Sequence, residues 1–151
     1  MTGVRPKAAM AVLVAAVAVA AGYMLMELHP LGALGESNDS PSRSEIEILA
    51  GAPIPASASE LQARVDLVIT KRTLFLRFSA DRAEVEAFLR GVGIESLSES
   101  GIPSFLLADG RPQWFRPESA RQFRAGESPR KAVLVESPDE PRCTVYLRAR
   151  S

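Results

Sequence analysis

Hydrophobic positions are distributed in two regimes along the chain. From Ala8 to Met26 they form nineteen consecutive residues without a formal charge, with Arg5 and Lys7 before them and Glu27 after. At about 1.5 Å per helical residue this run measures roughly 28 Å, close to the thickness of a bilayer's hydrocarbon core. The pattern predicts a transmembrane helix over 8–26. The two basic residues on its short N-terminal side predict that residues 1–7 stay in the cytoplasm and that the rest of the chain lies outside. A second reading of the same residues is a cleaved signal peptide, since Ala18 and Ala20 give an A-x-A pattern. Met24, Leu25 and Met26 carry the apolar run past that pattern, which favours a retained anchor. Either reading exports the remainder of the chain.

Beyond Glu27 the pattern changes. Residues 27–45 mix Pro30, Gly32, Gly35, Asn38, Asp39 and Pro41 and read as a flexible tether. Residues 46–151 show the short periodicities of a folded domain. Ser57 and Glu60 have capping-box spacing, predicting a short helix from Ala58 to about Ala63. Val65 to Thr70 reads as a strand, Lys71-Arg72 as a tight connection and Thr73 to Ser79 as the returning strand. Alternation in that strand puts Leu74, Leu76 and Phe78 on one face and Thr73, Phe75 and Arg77 on the other.

Asp81 with Glu84 marks a second helix start, and Gly91 an end after Arg90; Val85, Phe88 and Leu89 form its apolar face. Ser96 to Pro117, rich in Gly and Pro, reads as a long irregular connection with a short strand near Phe105. Glu118 to Phe123 suits one or two helical turns. Ala132 to Glu136 reads as a strand, Ser137 to Pro141 as a turn, and Arg142 to Ala149 as the last strand, with Cys143, Val145 and Leu147 on one face. The expected fold class is α+β: an N-terminal transmembrane helix, then a small antiparallel sheet of about four strands in two hairpins. One main helix packs on one face of it. Phe75 and Tyr146 fall on the opposite face, where the N-terminal helix of the domain is expected to cover them.

Charge and composition narrow the function classes. The net charge of the 151 residues is zero, split as +2 over residues 1–26, −5 over 27–60 and +3 over 61–151. A basic excess of three is far short of a nucleic-acid footprint. Cys143 is the only cysteine, so the exported domain has no internal disulfide and must be held by its apolar core. A nucleophilic role for Cys143 would need a nearby base, and the single histidine, His29, lies in the tether. One imidazole without a cysteine cluster is no metal-ligand set. None of the motifs G-x-S-x-G, P-loop, H-E-x-x-H, G-x-G-x-x-G or paired C-x-x-C is present.

The most suggestive local feature is Trp114-Phe115-Arg116-Pro117, followed by Arg121 and Arg124. Aromatic and arginine side chains anchor interfaces well, so Trp114, Phe115, Arg116, Arg121 and Arg124 are the candidate ligand or partner contacts. The competing role for Trp114 or Phe115 is to fold under the loop and close the core.

Ile54-Pro55-Ala56-Ser57-Ala58, Leu76-Arg77-Phe78, Glu86-Ala87-Phe88-Leu89, Trp114-Phe115-Arg116-Pro117 and Thr144-Val145-Tyr146-Leu147-Arg148 occur in succession. Over residues 46–150 this resembles small, functionally uncharacterised bacterial proteins that are exported or membrane-tethered. The resemblance implies an envelope location and brings no activity with it.

The expectation is therefore a single-pass protein of the bacterial cell membrane with a non-catalytic extracytoplasmic binding domain. Its partners would be membrane lipid through residues 8–26 and an envelope protein or anionic envelope component, with no cofactor, metal or nucleic acid. Two alternatives stand beside it: an envelope hydrolase or accessory enzyme built on dispersed carboxylates, and a passive cap on a membrane-helix scaffold.

Overall fold

A computed structural model describes residues 35–151; the expected cytoplasmic segment 1–7 and transmembrane segment 8–26 lie outside the described residues. Among the described residues no helix is long and apolar enough to cross a membrane. The elements are β1 (Gly35–Asn38), α1 (Arg43–Ala50), β2 (Ser59–Val68), β3 (Lys71–Asp81), α2 (Arg82–Val92), α3 (Ser104–Leu107), a 3-10 turn (Pro117–Ser119), β4 (Phe123–Ser128), β5 (Lys131–Glu136) and β6 (Arg142–Arg150). The strands form one sheet in the order β1-β2-β3-β6-β5-β4. The ladders β2–β3, β3–β6, β6–β5 and β5–β4 are antiparallel.

The α+β class and both expected hairpins are present, but the sheet has six strands where the hydrophobic pattern predicts about four. The two additional strands are β1 and β4. β1 and the first residues of α1 fall in the segment read as tether; Ser42 caps α1 by accepting the Glu45 N–H at 3.2 Å. β4 begins at Phe123, where helical turns were expected, and only the 3-10 turn at Pro117 remains of those.

Long-range bonding overrides the predicted helix at 58–63. Ser57 does not cap a helix there. Its N–H and Oγ donate instead to the Glu84 carboxylate at 2.9 and 2.7 Å, and its Oγ accepts the Asp81 N–H at 3.0 Å. These donors hold the Glu84 pKa below the ordinary carboxylate value. Freed from the helix, residues 59–68 join the sheet as β2, with a register shift between Ser59 and Gln62 and Glu60 at φ +52°.

α2 runs past the expected stop. Gly91 stays helical, at a close approach where an added Cβ would lie 2.8 Å from that of Ala52. Gly93, at φ +84°, ends the helix. The expected strand near Phe105 is the single turn α3.

Two cores lie on the two faces of the sheet. On the first, Leu74, Leu76 and Phe78 of β3 share a face with Val145 and Leu147 of β6, as the alternation predicts. They pack beneath Ile46 of α1 and Val85, Phe88 and Leu89 of α2. Each of these buried side chains contributes about 1.5–3 kcal/mol. Cys143 belongs to this core, and its burial raises the thiol pKa.

On the second face Phe75, Leu134 and Tyr146 are covered by Leu106 and Phe115 from the connection between α2 and β4. The cover expected from the N-terminal helix is thus supplied by a different segment, because residues 58–63, read as that helix, run into β2, and α1 packs on the first face.

Lys131 ties the first layer together. From β5 its ammonium donates to the carbonyls of Ala50 (2.8 Å) and Val92 (3.0 Å), the last residues of α1 and α2. A cation at two helix C-termini answers both unsatisfied carbonyls and the helix dipoles. Burial lowers the Lys131 pKa from the ordinary lysine value. Lys131→Met should cost about 1–3 kcal/mol of unfolding free energy in urea titrations. An unchanged midpoint would show that the two helix ends do not depend on this contact.

An arginine-centred groove as candidate functional site

The described residues cover the second face of the sheet only in part. Over β5 and β6 the connection closes it with Leu106 and Phe115. Toward the β2–β3 turn, a groove of about 520 Å³ remains between the hairpin, the end of β6 and the loop at Asp109-Gly110. Its walls are largely apolar, from Val68, Ile69 and Phe75, and its polar lining includes Asp66, Lys71, Thr73, Asp109, Arg148 and Arg150.

Strand register builds this site. Phe75 pairs with Arg148, and Thr73 with Arg150, so side chains two apart on each strand face the groove side by side. Arg148 is 5% exposed, the only buried arginine among the described residues. Its guanidinium lies between two aromatic rings, 4.9 Å from the centre of Phe75 and 4.8 Å from that of Phe105. One terminal nitrogen donates to the Phe105 carbonyl at 2.7 Å. The buried Nε–H has no acceptor among the described residues. Among the described residues no carboxylate lies within ion-pair distance of Arg148.

The surroundings of this cation are basic. Burial, then Arg150 and Arg111, lower the Arg148 pKa from the ordinary arginine value; Asp66 acts the other way. Asp66 is already engaged, accepting from Arg64 Nε at 2.6 Å and from the Ser37 hydroxyl at 2.9 Å. As cation–π partners the two rings contribute about 0.5–2 kcal/mol each. They leave uncompensated a desolvation cost of several kcal/mol for a buried ion. A site of this kind is suited to an anion with planar or tetrahedral oxygens, which a guanidinium binds through two N–H groups.

The residues nominated from sequence are dispersed by the fold. Phe115 is 1% exposed, edge-on to Phe75 and Tyr146 with ring centres 5.4 and 5.7 Å away. It closes the second core and is no surface contact. Trp114 is half-buried against Phe115, at 5.9 Å. Arg116 is exposed and donates to its neighbour Gln113's carbonyl at 2.8 Å. Arg121 is exposed, and Arg124 on β4 reaches Glu99 at 3.4 Å and Asp139 at 3.2 Å. None of the five lines the Arg148 groove.

The signal for this groove was present in β6: Arg148 alternates in phase with Tyr146, on the face shared with Phe75. An arginine in register with two aromatics on a covered face is an unusual placement. Among the described residues no group of three or more His, Cys, Asp or Glu is arranged to hold a metal ion. The chain matches no known protein family, no characterised protein and no solved structure.

Arg148→Met keeps much of the length of the side chain and removes the buried charge. In anion-free buffer the variant should be within about 1 kcal/mol of wild type or more stable, because isosteric apolar replacement of buried charges is commonly neutral or favourable. A loss above about 3 kcal/mol would mean that Arg148 serves the fold itself.

Proposed function

We propose that the protein is a single-span membrane protein of the bacterial envelope whose extracytoplasmic domain is a non-catalytic binding module, with the Arg148 groove as its recognition site for an anionic group. The apolar run 8–26 with its basic N-terminal flank supports the anchor and the orientation. One observation carries the binding reading: a buried cation, lacking a carboxylate partner among the described residues, beside a groove large enough for a small ligand. In a domain without a disulfide, such a charge weakens the core it sits in. A bound anion turns that cost into affinity, because the guanidinium is already desolvated and fixed between its rings.

The groove's carboxylates suit support better than chemistry. Asp66 is held in the Arg64 pair and Asp109 sits on the exposed loop. A pair of acids facing one another across a substrate, as glycoside hydrolysis requires, is not what these two residues offer.

Full-length protein in detergent, titrated with inorganic phosphate at constant ionic strength, tests the assignment. A ligand that binds only the folded state raises stability by about 2.7 kcal/mol at a hundred times its dissociation constant. Phosphate should raise the unfolding midpoint of wild type in a saturable way and leave Arg148→Met unmoved. Equal shifts in both proteins would remove Arg148 from the site.

A further inference from the structure

We infer that the tip of the β2–β3 hairpin docks on the bilayer surface and that the Arg148 groove receives the phosphate of an acidic phospholipid headgroup. The inference deepens the proposed binding function and rests on the reading of residues 8–26 as an anchor.

The tip is apolar where a soluble turn would be polar. Val68 is 54% exposed and Ile69 82%, the most exposed large hydrophobic residue among those described. Ile69 also sits at φ +60°, a left-handed conformation that suits glycine or asparagine and disfavours a β-branched residue. Solvent exposure and backbone strain both count against this residue in water. Insertion into the acyl–headgroup boundary removes the first and gives the second a purpose.

The rim around the tip is cationic. Lys71 and Arg72 come directly after the turn, and Thr73 pairs with Arg150, which brings the end of β6 to the same edge. Arg72 has Glu45 at 3.7 Å; among the described residues Lys71 and Arg150 have no carboxylate within ion-pair distance. Asp66, held in the Arg64 pair, and exposed Asp109 also line the groove, so the excess of Lys71, Arg72 and Arg150 is partial. An apolar point with a basic excess beside it is the chemistry of an acidic lipid interface, where each such charge is worth about 1 kcal/mol. The groove opens at this tip, since Val68, Ile69 and Lys71 line it together with Arg148. Arg148 pairs with Phe75, five residues or about 16 Å of strand from the turn, so a headgroup phosphate reaches the guanidinium by entering the groove between its apolar walls.

The path of the chain leads to the same end. Ser37 of β1 bonds to Asp66 at 2.9 Å, and Asp39 lies 3.7 Å from Arg64. The chain thus enters β1 from the side of the β2–β3 turn. Gly35 is nine residues beyond Met26, a stretch that reaches at most about 30 Å. A tether of that length entering beside the tip favours bilayer contact at the tip over contact at the opposite edge of the sheet.

The test uses the full chain reconstituted in vesicles, with an environment-sensitive fluorophore on Ile69→Cys and, separately, on Glu140→Cys in the turn at the far end of the sheet. Cys143 is buried and stays unlabelled in the folded protein. In phosphatidylcholine containing about one-third phosphatidylglycerol, headgroup-level nitroxide lipids should quench the Ile69 label at least about twofold more than the Glu140 label. Pure phosphatidylcholine should abolish most of that difference. Arg148→Met should weaken it, and so should the surface pair Lys71→Gln with Arg150→Gln, which leaves the core untouched. Equal quenching at the two positions overturns the docking. Quenching that ignores Arg148→Met overturns the headgroup site. Flotation with the vesicles is read in the same experiment: a chain that floats with an unquenched tip retains its anchor and loses only the docking, whereas a chain that does not float loses both.

Discussion

The structure depends on a sheet that must be dry on both faces. β3 and β6 are its central strands, and residues on both of their faces are buried. Two helices suffice for one face, because α1 and α2 each carry an apolar stripe and Lys131 fastens both of their C-terminal ends to β5. Among the described residues the other face has no long helix. It is closed by an irregular connection whose contribution is a few large side chains, above all Leu106 and Phe115. Cover of that kind is local, and the groove lies where it stops. Arg148 stands at the margin, buried by the rings of Phe75 and Phe105 and answered by one carbonyl. The Arg148 groove is therefore a direct outcome of how the second face is closed.

Much of this fold was legible in the chain. Elements stated by strict local alternation survived: Leu74, Leu76 and Phe78 share a core face with Val145 and Leu147, and Val85, Phe88 and Leu89 form the stripe of α2. Where a residue had two local uses, tertiary bonding decided. Ser57 reads as a helix cap but binds Glu84 across 27 positions, and the segment behind it becomes a strand. Gly91 reads as a stop, yet its missing side chain lets α2 pass close to Ala52. β4, with Gly126 near its middle and few apolar residues, lacks a periodic signal; its partner β5 makes it a strand.

The site was harder to see than the fold, and for a physical reason. Trp114, Phe115 and the arginines after them stand out, because clustered aromatic and basic residues look like an interface. Folding sends Phe115 inward and gives Arg116 and Arg124 partners close at hand. Arg148 looks ordinary in the sequence, one of several arginines near the C-terminal end. Its significance comes from register: pairing with Phe75 across the ladder and contact with Phe105, 43 positions away, are what desolvate it. Alternation alone puts Arg148 on the Tyr146 face; the two contacts themselves need the sheet order and the path of the connection.

The most direct measurement is site-resolved. The side-chain Nε–H of Arg148, followed by nitrogen–proton NMR in the full chain, reports on the single buried side-chain donor that lacks an acceptor among the described residues. Recognition through Arg148 predicts a resonance that exchanges slowly with water in the free protein and moves downfield as an anion fills the groove. A resonance in fast exchange, or one indifferent to every oxyanion that the domain binds, would contradict it.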